Sequence, residues 1–243
     1  MIKINQNAIF IADAHSNTSR PHFREFLRAL IDGKICALQL FFVGDMFDFL
    51  TNADFVREFY ADEIAMINEL SKTHEIYYFE GNHDFILRDI FPLVKIYPNH
   101  VQPVVCEFSC ADKTAQISIA HGDIYLPIWD KIFIYCMRSA AFIFVMNLID
   151  RALGFAISRT ILRRQNEKIL YRKLANFREI IAKKIDKFHS NFIIEGHYHQ
   201  GQTLKFGEKT YFNLKSFAQS GLIYKLNFNE NKIILDEIDI FKL

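Results

Sequence analysis

EIYYFEGNHD, residues 75–84, is an apolar, aromatic run of strand length that stops at a glycine and a polar cluster. Four other stretches have the same form: AIFIADAH (8–15), LQLFFVGD (38–45), QISIAHGD (116–123) and FIIEGHYH (192–199). Continuous apolar runs bounded by glycine and polar residues read as strands buried on both faces. Between the first three runs lie helical patterns. Phe23, Phe26, Leu27, Leu30 and Ile31 repeat with helical period ahead of Gly33, which stops the helix, and a second helix is predicted over Phe55–Leu70. Alternation of this kind predicts an α/β fold with helices packed on a largely parallel sheet. Beyond Gly201, LIYKLNF (222–228) and KIILDEIDIF (232–241) predict a hairpin turning at Asn229, Glu230 and Asn231. Residues 124–188 interrupt the rhythm as two or more inserted helices.

In open α/β sheets, ligands bind beyond the carboxyl ends of the strands. Here those ends carry Asp13 and His15; Asp45; Asn82, His83 and Asp84; His121; and His197 and His199. Carboxylate and amide oxygens mixed with imidazole suit Mn²⁺, Fe or Zn²⁺. The candidates outnumber what one ion needs, and two ions about 3.5–4 Å apart sharing a carboxylate fit the count better. His197 and His199, two apart, point the same way in an extended segment. Gly44, Gly81 and Gly196 precede three of the clusters, as expected where backbone turns sharply beside an ion. His22, His74, His100 and His189 lie outside these clusters and read as ordinary residues.

The 243-residue chain is long enough for one sizeable core. It is 51% hydrophobic with 25 Phe, so part of its apolar surface is expected to face a ligand or a lipid. The net charge of +1 is unevenly spread: Arg151 to Lys187 holds eleven Lys/Arg against three acids, leaving the remainder acidic. The N-terminal sequence shows no cleavable signal pattern. Cys36, Cys106, Cys110 and Cys136 lack disulfide or zinc-ribbon spacing; Cys106 and Cys110 read as packing residues, and the set reads as a reducing cytoplasm. Basic residues are not interleaved with aromatics as a base-stacking groove, so no nucleic acid is expected.

The ordered set D-x-H, G-D, G-N-H-D, H-G-D and G-H-x-H, spread over residues 8 to 200, resembles the calcineurin-like metallophosphoesterase superfamily. The resemblance implies a four-layer α-β-β-α sandwich formed by residues 1–123 and 189–243, with 124–188 as a helical lid. It implies a di-metal phosphoester hydrolase in which Asp13, His15, Asp45 and His199 bind one ion. Asp45, Asn82, His121 and His197 bind the other, with Asp45 bridging. Two cations acidify a shared water and neutralise phosphate oxygens. His83 is then the candidate for stabilising the transition state or protonating the leaving oxygen, with Asp84 orienting it. GDMFDFL and GNHDF lack the Arg-Gly of the superfamily's protein phosphatases.

The insert makes the chain similar to the UDP-2,3-diacylglucosamine pyrophosphatases of lipid A synthesis. That resemblance implies Mn²⁺, a UDP-diacyl sugar as substrate, and UMP and 2,3-diacylglucosamine 1-phosphate as products. Two places depart from the pattern: His83 stands where G-N-R-D-F is usual, and HGDIYLPIWD replaces a Leu-Cys-Thr-Asp-Asp run. Within CMRSAAFIFVMNLIDRALGF (136–155) the longest uncharged run is the eleven residues Ser139–Ile149, short of the roughly 20 that span a bilayer. SRTILRRQNEKILYRK (158–173) follows at once. An apolar helix beside a basic one reads as an interfacial element that meets acyl chains and anionic headgroups. Arg159, Arg163, Arg164 and Lys168 are candidates for the diphosphate or for phospholipid. The expected location is the inner face of the cytoplasmic membrane, reached from the cytoplasm, with the oligomeric state open. The alternatives are a phosphoesterase on a soluble phosphodiester or nucleotide, and a non-catalytic metal-binding scaffold.

Overall fold

The apolar runs set an aromatic residue at matching register in neighbouring strands, and these stack into a ladder. Phe10 lies over Phe41 with ring centroids 4.5 Å apart, and Phe41 over Tyr77 at 4.8 Å, their planes within 12° of parallel. The computed structural model describes residues 1–242 apart from Ala111, Leu126, Pro127, Glu230 and Asn231. In it the ladder belongs to a six-stranded sheet ordered β12 (Lys232–Asp239), β11 (Leu222–Asn229), β2 (Ile9–Ile11), β3 (Gln39–Phe42), β4 (Glu75–Phe79) and β5 (Lys95–Tyr97). The four strands β2 to β5 run parallel, and β11 and β12 add an antiparallel hairpin. Asn229 faces Lys232 in that hairpin, while the expected turn residues Glu230 and Asn231 lie outside the described residues.

A second six-stranded sheet is ordered β1 (Ile2–Ile4), β6 (Val104–Cys110), β7 (Lys113–Ala120), β8 (Phe192–Glu195), β10 (Lys209–Asn213) and β9 (Gln202–Phe206). The sheets face each other across a core of Phe10, Phe41, Tyr77, Phe79, Phe108, Ile119, Ile194 and Phe212. The outer face of the first sheet is covered by α1 (His22–Ile31), α2 (Asp54–Phe59), α3 (Ala61–Leu70) and α8 (Phe217–Ser220). Helix α1 buries Phe23, Phe26, Leu27 and Leu30 of the expected stripe, each worth about 1.5–3 kcal/mol, while Ile31 at its last position is exposed. It ends at Asp32, followed by Gly33 at φ +70°. The fold is thus the expected α-β-β-α sandwich, and among the described residues 14 of the chain's 25 phenylalanines are buried in it. Most of the aromatic excess is therefore core.

The single helix expected over Phe55–Leu70 is two. α2 and α3 meet at Tyr60, which leaves helical geometry (φ −104°, ψ 21°) and buries its ring edge-on to Phe47, centroids 4.8 Å apart.

Between β7 and β8 lie α4 (Ile128–Met137), α5 (Ala140–Ala152), α6 (Ala156–Asn166) and α7 (Phe177–Ala182). From this segment, Phe177, Ile181, Ile185 and Phe188 pack on Ile193 and Tyr211 of the second sheet and form its outer helical layer. Asp150, an acid inside an apolar helix, is explained by the corner that follows. Its carboxylate accepts from Ile157 N at 2.8 Å and from the Ser158 hydroxyl at 2.5 Å, capping α6 where the chain turns through 104°. Among the described residues no single helix is long and apolar enough to cross a membrane; α5 and α6 pass that test only as this bent pair.

Candidate metal centre

The five motif strands are divided between the sheets: β2, β3 and β4 lie in one, β7 and β8 in the other. Their carboxyl ends meet along one edge of the sandwich. Within the first sheet Asp13 N donates to Gly44 O and His15 N to Asp45 O, both at 3.0 Å. Across the gap His197 N donates to the Asp13 carboxylate at 3.0 Å, and His121 Nδ1 to Val43 O at 3.0 Å. The glycines make this convergence sterically feasible. A Cβ on Gly81 would sit 2.2 Å from Asp45 Oδ1, on Gly44 2.2 Å from His121 Nδ1, and on Gly196 2.5 Å from Asp13 Oδ2. Among the described residues seven non-glycine positions have positive φ, and five of them are Asp13, His15, Asp45, His197 and His199. Backbone strain of order 1–3 kcal/mol per residue, concentrated on the polar strand ends, marks a functional site.

Three groups of ligand atoms each lie within 4.8 Å of one another: Asp13, His15 and His199; His15, Asp45 and His83; and Asp45, His121 and His197. His199 Nε2 is 3.2 Å from Asp13 Oδ1 and 3.4 Å from His15 Nε2. His121 Nε2 is 3.3 Å from Asp45 Oδ2, 3.3 Å from Asn82 Oδ1 and 3.2 Å from His197 Nδ1. Asp45 sits between the two halves, the place a bridging carboxylate requires. Several imidazoles are also held from behind. Nδ1 of His121, His83 and His199 donates to the carbonyls of Val43, Asp48 (2.6 Å) and Leu170 (2.7 Å), which turns Nε2 of each toward the centre. Outer bonds of this kind fix tautomer and ring orientation for metal binding. Two carboxylates, an amide oxygen and four imidazoles so arranged fit two divalent ions.

The electrostatics agree. Burial pushes the Asp45 carboxyl up, but His121, His83 and His15 around it hold it well below the carboxylate range. Burial lowers His121, and the carboxylate of Asp45 more than reverses this, holding it well above the usual imidazole value. His197 is pushed down to about 4 by burial and by the charge of His121, so it offers a free lone pair. The centre is built around negative oxygens that call for cations.

The structure brings all seven expected ligands together, with His83 beside them. It corrects the role expected of Asp84. That carboxylate does not bond His83; it accepts from Asp45 N (3.0 Å), Met46 N (2.6 Å), Gly81 N (2.9 Å) and the Tyr78 hydroxyl (2.5 Å). A buried carboxylate with four donors satisfies both its oxygens and ties the loops after β3 and β4, leaving nothing for the imidazole. His83 is held instead by the Asp48 carbonyl. Of the expected substrate residues, Lys168 alone reaches the centre, its Nζ 3.4 Å from His83 Nε2. Arg159 lies over the Phe55 ring at 5.2 Å, and Arg163 and Arg164 are exposed on α6. Two residues were not anticipated. Buried Asp48 has Oδ1 3.4 Å from His15 Nδ1, and Arg20 Nη2 donates to its other oxygen at 2.5 Å. The acid was visible three residues beyond Asp45, but its partner lies 28 positions away, with no periodicity to join them.

No protein-family model and no curated protein matches the chain. It is similar to several solved structures. One is a conserved uncharacterized protein from Streptococcus pneumoniae described as a predicted phosphoesterase, 14% identical at a TM-score of 0.42, covering 96% of this chain and 89% of that one. Another is a novel archaeal phosphodiesterase, 13% identical at 0.43, covering 95% and 99%. A third is a Vps29 single mutant from Entamoeba histolytica, 14% identical at 0.41, covering 96% and 98%. These likenesses are distant, and the fold and the site rest on the contacts described above.

Proposed function

We propose that the chain is a di-metal phosphoester hydrolase, and that its substrate is a UDP-diacyl sugar cleaved at the diphosphate to release UMP. The observation that carries the hydrolase reading is the run of three ligand groups joined in turn through His15 and Asp45. Asp13, His15, Asp45 and His199 would hold one ion, and Asp45, Asn82, His121 and His197 the other. Such ions supply an acidified water near neutral pH and neutralise phosphoryl charge. His83, with Nδ1 committed to Asp48 O, presents Nε2 to the site, where it would carry a proton to the leaving oxygen. Lys168 Nζ beside it adds a cation for the second phosphate of a diphosphate.

The lipid part of the reading is supported by α5, whose exposed side is apolar: Phe144, Val145, Leu148 and Ile149 are 64%, 51%, 48% and 43% exposed. Trp129, Tyr135, Ile169 and Tyr171 are exposed in the same inserted segment. Covering acyl chains contributes about 0.8 kcal/mol per CH₂. The basic residues of α6 fit an anionic membrane surface, which would present the substrate from the cytoplasmic side, and manganese is the metal we assign.

Purified protein with Mn²⁺ is expected to release UMP from UDP-2,3-diacylglucosamine, and His121→Ala to abolish it. Equal turnover of the UDP sugar without acyl chains would overturn the lipid specificity and leave the hydrolase. Two ions bound without turnover of any phosphoester would overturn the hydrolase in favour of a scaffold.

A further inference from the structure

The chain from Gln165 to Leu174, comprising the end of α6 and the irregular residues after it, forms a strap across the ligand loops. At its far end Gln200 clamps it: Leu174 N donates to Gln200 Oε1 at 3.0 Å and Gln200 Nε2 to Arg172 O at 2.9 Å. In the middle, Leu170 O receives His199 Nδ1. At the near end sits Arg20. Its Nε donates to His15 O at 3.0 Å, its Nη2 to the Asp48 carboxylate and to Gln165 O at 3.1 Å, and its Nη1 to Asn166 O at 3.4 Å. Ser19 adds a hydroxyl bond to Asn166 Oδ1 at 2.7 Å. The guanidinium thus plugs the carbonyl end of α6, where unpaired acceptors and the negative end of the helix dipole favour a cation. With the same planar fork it grips the backbone of one ligand residue and the carboxylate behind its ring. Only arginine offers five donors in a rigid plane for such a bridge.

We propose that Arg20 is a positioning residue that couples the seating of this strap to ion binding at His15, so that strap closure and metal occupancy are linked equilibria. This rests on the di-metal reading of the site. Linkage is reciprocal: if a seated strap tightens the ion, the ion must seat the strap by the same factor.

The test is limited trypsin digestion of the full chain with and without Mn²⁺, scored by mass spectrometry at Lys168, Arg172 and Lys173, with Mn²⁺ titrated calorimetrically in parallel. Mn²⁺ is expected to slow cleavage at these bonds about tenfold in the wild type, within the usual range of coupling. Arg20→Ala should erase that metal dependence and weaken one of the two ions about 10- to 100-fold, as loss of an outer partner does. Arg20→Lys, which keeps the charge without the fork, should fall between. Gln200→Ala frees the far end without touching Asp48; it should speed cleavage and weaken the same ion, and it carries the test if Arg20→Ala folds poorly. Faster cleavage by one factor with and without Mn²⁺ in Arg20→Ala would reduce Arg20 to a structural role and overturn the coupling. Two ions bound with no protection of the strap would overturn it while leaving the di-metal reading intact. Absence of Mn²⁺ binding in the wild type would overturn both.

Discussion

Glu80 precedes the Gly81–Asp84 cluster and is buried, 6% exposed. Burial pushes its carboxyl up to about 7, against the opposing pull of the Leu87 N–H at 2.9 Å. A carboxyl raised in the fold binds its proton more readily there than in the unfolded chain. Stability therefore falls as pH rises from the unfolded value through about 7. Glu80→Gln keeps an acceptor for Leu87 N and removes the charge. In chelator it should gain roughly 2–3 kcal/mol over the wild type at pH 8 and nothing at pH 4, read from urea midpoints. At this same scale the ligands were legible in the sequence because each ends an apolar run, where backbone geometry alone brings it to the sheet edge. Asp48 and Arg20 were not, since their role depends on a contact between loops that only the folded chain makes.

Among the elements, α5 leaves an apolar face open to solvent. Its polar residues serve neighbouring elements instead: buried Asp150 caps α6, the half-buried Asn147 side chain receives Asp54 N at 3.2 Å, and Arg151 pairs with Asp54 at the surface. Ala141, Phe144, Val145, Leu148, Ile149 and Ala152, spaced for one helical face, are exposed. Replacing Phe144 and Leu148 with Ser should leave stability within about 0.5 kcal/mol per site, because little is buried there. Cosedimentation with anionic vesicles should fall markedly. Unchanged vesicle binding together with a smaller sedimentation coefficient would assign the face to a second copy of the chain instead. The apolar composition of this helix was plain in the sequence. Which way its faces point was not, because periodicity gives the angle between residues and leaves the partner unknown. The break at Tyr60 escaped for a related reason: a helical pattern runs through it, and the pull of Phe47 comes from the loop after β3.

For the whole molecule, five apolar runs announced an α/β protein, and motif resemblance implied two sheets. The runs themselves carry no mark of which sheet they join. Strands β1 and β5 have three residues each and three of the five residues of β9 (QTLKF) are polar, so propensity alone passes over them. The allocation matters mechanically. Asp13, His15, Asp45 and Asn82 extend from one leaf of the sandwich, and His121, His197 and His199 from the other. Ions held jointly by both leaves would act as rivets through the open edge, so that prying the leaves apart would require their release. Mn²⁺ at about 100 times its dissociation constant should add close to 2.7 kcal/mol per ion, seen as a rise in melting temperature that His121→Ala largely removes. Chelation would then do more than empty the site: it would loosen the seam that joins the two halves of the protein.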